Sequence, residues 1–220
     1  PDQAALPERY LQESIRFMRE KKDEPFFLYF AASHVHVPQN TAPAFVNKSG
    51  RSSPFADALM EFDDTVGRLT TALKQHGVDD NTVIFVTGDN GPWGCKCSGK
   101  LTGSYGPFEG AWQRTTGGGG SSWKTTLWEG GHRVVGLARW IGHFPAASVS
   151  GALTSSLDYM PTMAELAGAS LPGGGRVWDG ISLATLLVDA GALARNDSAH
   201  ATLYHPLSGA GGTGPLNAMR

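Results

Sequence analysis

The stretch that most constrains this chain is Thr82 to Gly94, TVIFVTGDNGPWG. Val83, Ile84, Phe85 and Val86 form an unbroken apolar, mostly β-branched run. Such a run suits a strand covered on both faces, as in a parallel sheet flanked by helices. It stops at Thr87-Gly88-Asp89-Asn90-Gly91-Pro92, where Gly and Pro end any strand. A carboxylate and an amide therefore stand just past the carboxyl end of a buried strand, the edge where open α/β sheets bind ligands. Asp89 and Asn90 offer hard oxygen donors, which suit Ca²⁺ or Mg²⁺ better than zinc. Asp-Asn-Gly is equally good turn chemistry. From this stretch alone, a plain turn and a metal site both stand.

The rest of the chain supplies elements around that strand. Pro7 to Lys21 places Tyr10, Leu11, Ile15 and Met18 on one side at helical spacing, which predicts an amphipathic helix. Pro25 to Ala32 is a second apolar run and predicts a second buried strand. It ends in Ser33-His34-Val35-His36-Val37-Pro38. If that segment stays extended, the i, i+2 spacing turns His34 and His36 to one side. Each imidazole is either a hydrogen-bonded packing group or a functional one. Gln39 to Pro54 reads as a surface loop. Phe55 to His76 is the clearest helix, with Phe55, Leu59, Phe62, Val66, Leu69 and Leu73 as its apolar stripe, Glu61 off it, and Gly77 as its C-cap. Strand, helix and strand from Phe26 to Val86 predict a right-handed crossover.

Residues 95–122 form a glycine-rich insert with no helical or strand period, and no phosphate-binding G-x-x-x-x-G-K-[ST] pattern. Lys124, Glu129 and Arg133 follow in a segment dense with charge. They are either solvated loop groups or, for Lys124 and Arg133, oxyanion binders. Val134 to Ala138 predicts a strand. Ser155 to Ala167 predicts a helix with Asp158 near its start and Pro161 within its first turn. Gly180 to Leu187 predicts a short helix and Leu203 to Pro206 a strand.

The 220 residues suffice for one α/β domain with a core, or for most of a larger one. A net charge of −2 leaves no electrostatic footprint for nucleic acid, and no apolar run reaches the length of a membrane span. The polar first residues, without an initiator Met or signal-peptide pattern, read as a segment of something longer. Cys95 and Cys97 are too few for a four-cysteine zinc site or a disulfide framework. The sequons at Asn47 and Asn196 fit a secreted or lysosomal glycoprotein.

Four blocks, FFLYFAASHVHVPQ, VIFVTGDNGPWG, KTTLWEGGHR and SSLDYMPTMAELAGASLP, resemble the sulfatase family in its order and spacing. GPWGCKCSG, GPFEGAWQ and LYHPLSGAGG resemble its arylsulfatase G-like branch, akin to arylsulfatase A. The resemblance implies an alkaline-phosphatase-like α/β fold, with a mixed, mostly parallel sheet flanked by helices. It implies that residues 1–220 are the C-terminal part of one catalytic domain, with 190–220 opening the C-terminal region. Asp89 and Asn90 match calcium ligands. Lys124 matches the lysine that contacts the sulfate, and His36 the histidine that contacts sulfate and assists departure of the alcohol. His34 and Arg133 match supporting positions at the substrate, and Glu129 another motif position. Asp158 falls in a structural block. The implied activity is hydrolysis of sulfate monoesters, aryl or glycosaminoglycan-like, aided by Ca²⁺ and a formylglycine nucleophile. That nucleophile arises from a C-x-P-x-R block, which neither Cys95 nor Cys97 begins. Nucleophile and remaining calcium ligands are thus expected in an N-terminal half that partners this segment. The competing readings are a phosphoric ester hydrolase of the same superfamily and a non-catalytic fragment.

Overall fold

The computed structural model describes residues 2–93, 101–104, 106–108, 124, 128–206 and 216–219. Cys95, Cys97 and most of the glycine-rich insert lie outside them. The chain forms two compact units. One comprises Pro1–Thr82 and Val86–Gly136, the other Val83–Phe85 and Leu137–Arg220.

The first unit is built on two packed helices, α1 (Leu6–Lys21) and α2 (Pro54–Gln75). Pro7 stands at the start of α1, where a missing N–H costs nothing. Pro7, Leu11, Ser14 and Met18 form the buried face, with Leu11 1% and Met18 2% exposed. The expected stripe is thus turned: Tyr10 faces solvent and Ser14 takes the inner position, its hydroxyl donating to the Tyr10 carbonyl at 2.8 Å. On the outer side, Arg68 of α2 grips Glu8 of α1 with two hydrogen bonds of 2.7 and 2.8 Å.

Ser53 caps α2 by accepting from the Ala56 N–H at 3.3 Å, and Pro54 follows at its first position. At the other end Gly77 adopts φ +71°. Its N–H bonds to the Lys74 carbonyl and that of Val78 to the Leu73 carbonyl, which together form a Schellman stop. The buried face of α2 departs from expectation. Asp57, Ala58, Glu61, Thr65, Ala72 and Leu73 are inward, while Leu59 is 47% exposed. Two carboxylates occupy the inner face because they serve backbone N–H groups of the loop before α2. Asp57 accepts from the N–H groups of Asn47 (2.8 Å) and Ser49 (3.0 Å), and Glu61 from that of Ala42 (3.0 Å).

Residues 25–32 form neither helix nor strand and pair with no strand among the described residues. Phe27 (66%) and Tyr29 (80%) are exposed, whereas Phe26, Leu28 and Phe30 are half-buried. The two-sided burial expected here is absent, and with it the strand-helix-strand crossover. One side packs inward, as in the edge-to-face contact of Phe26 with Phe17 at 5.9 Å. The other faces outward without a neighbouring ladder.

β1 (Ile84–Thr87) forms where expected and pairs with β2 (Gly136–Arg139) in a two-stranded sheet. Ile84, Phe85 and Val86 are half-buried and Thr87 is exposed, rather than all being enclosed on both faces. A short helix, α3 (Glu129–His132), precedes β2.

In the second unit, a 3-10 turn Ser156–Asp158 leads into α4 (Tyr159–Leu166) through a capping box between Ser155 and Asp158. Asp158 is fully buried and serves as a junction. It accepts from the N–H groups of Ser155 (2.7 Å) and Ile181 (2.9 Å) and pairs with His200 Nε2 (2.7 Å). Its role is thus capping and packing. Gly180 has no room for a side chain, since a Cβ there would strike the Leu157 carbonyl oxygen. α5 (Ala184–Val188) starts four residues later than its expected bound, and α6 (Ala190–Arg195) follows directly. Leu183, Leu186 and Ala192 are the small core of this unit. β3 (Tyr204–Pro206) pairs antiparallel with β4 (Leu216–Met219), Tyr204 opposite Met219 and His205 opposite Ala218.

Among the described residues the expected mostly parallel sheet is thus represented by two short two-stranded sheets. A wider sheet needs ladder partners that these residues do not include.

Candidate functional site

Apart from Asp158 and Asn196, which belong to the second unit, the residues singled out from the sequence lie in the first, and three loops bring several of them together. The loop after β1 turns at Asp89-Asn90, where Asp89 Oδ1 accepts the Asn90 N–H at 2.8 Å. Asn90 Nδ2 donates to the Gly91 carbonyl at 2.8 Å, which commits the amide nitrogen and leaves its oxygen as an acceptor. Both side chains are exposed.

Gly91 then docks on α3. Its N–H donates to the Gly131 carbonyl at 3.0 Å, and a Cβ at this position would sit 2.0 Å from the Gly130 carbonyl oxygen. The approach requires glycine at 91, and Gly130 and Gly131 are themselves buried. One residue later, the Pro92 carbonyl accepts the Lys124 N–H at 3.0 Å. The backbone of Lys124 is thereby fastened two residues beyond Asn90.

The third loop carries the histidines. It does not stay extended: the His36 N–H donates to the Ser33 carbonyl at 3.1 Å and closes a turn. His34 and His36 therefore part company. His34 is turned inward, its side chain 3% exposed, with Nε2 donating to Glu61 Oε2 at 2.7 Å. His36 is exposed. Its Nδ1–H donates to the Val37 carbonyl at 2.7 Å, which leaves Nε2 with a lone pair. That lone pair meets Lys124 Nζ at 3.1 Å, across 88 positions of chain. An imidazole and an ammonium group thus stand side by side at the surface, and the exposed Trp93 ring has its centroid 6.0 Å from the same Nζ.

Arg133 lies apart from that pair in its bonding. Its Nε donates to Glu129 Oε2 and its guanidinium covers the Phe108 ring at 4.8 Å. No structural contact joins it to Lys124 or His36 among the described residues. Asn47 is exposed at φ +59°. Asn196 ends α6 at φ +56°, and its Oδ1 accepts from the Gly151 N–H.

The apolar stripe of α2 leaves Glu61 among the helix's outer charges, yet its side chain is 5% exposed. The available signal was Asp57 and Glu61 at i, i+4, four residues before Thr65, a polar stripe parallel to the apolar one.

Among the described residues no three His, Cys, Asp or Glu side chains gather in a metal-holding group. Asp89 and Asn90 supply two hard oxygen donors, which fits part of a calcium shell of six to eight oxygens. No helix among the described residues is long and apolar enough to cross a membrane.

Comparison with known proteins gives this arrangement its context. The sulfatase family model matches residues 3–169. Arylsulfatase G of Mus musculus is 40% identical over 220 residues, which cover 99% of this chain and 40% of that protein. Arylsulfatase A of Homo sapiens is 40% identical over 177 residues, 78% of this chain and 30% of that one. Among solved structures, the PsFucS1 sulfatase from Pseudoalteromonas sp. superposes with a TM-score of 0.75 at 28% identity, covering 91% of this chain and 37% of that one. The chain spans about two fifths of the length of its arylsulfatase G relatives. Its α/β architecture is that of an alkaline-phosphatase-like partial domain, and the chain belongs to the sulfatase family.

Proposed function

We propose that this chain is the C-terminal part of a sulfatase catalytic domain, one that hydrolyses sulfate monoesters and supplies the grip on the sulfate and leaving group. The carrying observation is the 3.1 Å contact of Lys124 Nζ with His36 Nε2 beside the Asp89-Asn90 turn. A sulfate ester is an anion whose charge shifts toward the ester oxygen as the S–O bond breaks. An ammonium group aimed at that charge is the electrostatic element such chemistry needs. Lys124 has two further N–H donors beyond the one given to His36. In this reading they bind sulfate oxygens. His36, its Nδ1–H held by the Val37 carbonyl, stands with Nε2 toward the ester oxygen; once Nε2 has taken a proton from solvent, the imidazolium gives that proton to the departing alkoxide as the S–O bond breaks and returns to the neutral tautomer.

Asp89 and Asn90 would hold part of a Ca²⁺ site, and the ion would supply positive charge to the sulfate oxygens. The remaining ligands and the formylglycine nucleophile would come from elsewhere in the whole protein, since these 220 residues contain no C-x-P-x-R block. Arg133 and His34 are assigned supporting roles, Arg133 through Glu129 and His34 through Glu61. The exposed Trp93 offers a ring face to the group that bears the sulfate, aryl or sugar, and sulfated sugars of the glycosaminoglycan kind fit such a platform. Residues 95–122 are then a glycine-rich insert in the sequence and 190–220 the opening of the C-terminal region. A lysosomal or secreted location is consistent with the sequons. Of the two, Asn47 is the open acceptor, whereas the Asn196 oxygen is engaged.

The test is an aryl sulfate assay on the whole protein with and without Lys124→Ala. Loss of the ammonium should lower kcat/KM by about a thousandfold or more. A loss smaller than about tenfold would sink the assignment of Lys124. Turnover of phosphate but not sulfate monoesters would favour the phosphoric ester reading instead.

A further inference from the structure

Glu61 is a buried carboxylate that the proposed chemistry does not use. Its side chain is 5% exposed, on the inner face of α2, and one oxygen does two jobs. Oε2 accepts from His34 Nε2 at 2.7 Å and from the Ala42 N–H at 3.0 Å. These donors stand at the two ends of one loop, residues 34–42, and His36 lies inside it. A third tie holds the middle. Gln39 is 7% exposed, and its Nε2 donates to the Leu101 carbonyl at 2.7 Å. Glu61 itself sits in a regular turn of α2, where Thr65 Oγ1 donates to its carbonyl at 2.9 Å. The loop is thus anchored to the most regular element of the unit, while its exposed imidazole reaches Lys124.

We infer that Glu61 is the positioning residue for His36: its carboxylate clamps both ends of the histidine loop and so sets where Nε2 stands against Lys124. Burying a carboxylate is costly unless each lone pair is met, and charge-assisted hydrogen bonds are about twice as strong as neutral ones. A helix face built only for packing would carry an apolar side chain here, as Ala58 and Ala72 do on the same face. A carboxylate at 61 is explained by what it holds, and it holds the frame of His36. His34 then acts as a brace, since its ring is turned from solvent and committed to Glu61.

The inference rests on the sulfatase reading for its effect on turnover, but not for the clamp itself, so two readouts are needed. The first is a double-mutant cycle in the whole protein. Glu61→Gln keeps the shape and one acceptor oxygen but removes the charge. It should lower kcat on an aryl sulfate by about tenfold or more while moving KM by less than about threefold. In a His36→Ala background the same change should cost less than about twofold, because the group that Glu61 positions is already gone. Equal factors in both backgrounds, or an undiminished kcat in Glu61→Gln, would overturn the inference. The second readout needs neither activity nor a variant. In the unmutated protein the Ala42 amide should exchange with solvent at least about tenfold more slowly than the amides of the exposed residues Ala44 and Val46 in the same loop. Rapid exchange at Ala42 would refute the clamp whether or not Glu61→Gln folds. Should the whole protein hydrolyse no sulfate ester, the functional reading fails, and amide exchange alone decides the clamp.

Discussion

At the scale of single residues, the site is specified by what each side chain leaves unspent. His36 spends Nδ1 on a carbonyl and keeps Nε2, and Asn90 spends its nitrogen and keeps its oxygen. Gly91 matters for the absence of a side chain. The carbonyl of Gly130 lies where its Cβ would be, so Gly91→Ala must push the Asp89-Asn90 turn off α3. A displacement of about 1 Å in positioning groups can cost about a hundredfold in rate, which is the expected fall in kcat/KM on aryl sulfate for the whole protein. Activity within a few-fold of wild type would show that the turn does not need this docking. Chemistry-bearing types were legible one by one in the sequence. Asp89, Asn90, His36 and Lys124 were each named from their place after an apolar run or within a motif. Their bonding was not, because it depends on backbone carbonyls from Val37, Gly91 and Pro92 that no side-chain pattern encodes.

At the scale of elements, helices were legible and strands only partly so. α1 and α2 were read from 3.6-residue periodicity and caps, which are local, and both ends of α2 stop where Ser53 and Gly77 direct. The inner face of α2 was misread because Asp57 and Glu61 satisfy loop amides, a tertiary demand that overrides the usual exclusion of carboxylates from buried faces. Asp57 also carries a pH consequence. The Ser49 hydroxyl first, then the N–H groups of Ser49, Asn47 and Lys48, hold its carboxyl below the usual aspartate range. The unfolded chain therefore binds a proton at a higher pH than the folded one does. Stability from this residue is complete above the ordinary aspartate value of about 4 and fades as pH falls through the lower folded one. In Asp57→Asn the titration is gone. The thermal midpoint of the variant should lie below that of the wild type at neutral pH, with the gap closing in acid. A gap that stays constant from pH 7 to about pH 2 would show that Asp57 contributes no proton-linked stability. Glu8, held low by the Arg68 hydrogen bonds, titrates in both proteins and cancels from the difference.

At the scale of the whole molecule, the proposed function gives this chain one side of a reaction: the Lys124 ammonium, the His36 imidazole and two oxygen donors, on a chain that spans about two fifths of its arylsulfatase G relatives. The isolated 220 residues should therefore show no aryl sulfate turnover, whereas the whole protein should turn over with added calcium and lose that activity to a chelator. Turnover by the isolated chain would place a nucleophile among these residues. A whole protein indifferent to chelation would remove Asp89 and Asn90 from the metal assignment.

What the sequence determined alone is local. Helix periodicity, capping residues, the apolar run into Asp89-Asn90 and the family blocks are written in residues close to one another, and local interactions suffice to express them. What only the tertiary structure decided is which groups meet. His34 and His36 are two positions apart, yet one is buried on Glu61 and the other faces Lys124. Residues 25–32 are as apolar as a buried strand but lie half-exposed without a ladder. For the two histidines the deciding contacts come from far along the chain, 27 positions for His34 and 88 for His36. Hydrogen-bond partners and strand neighbours at such separations are set by packing, and no local pattern of residues records them.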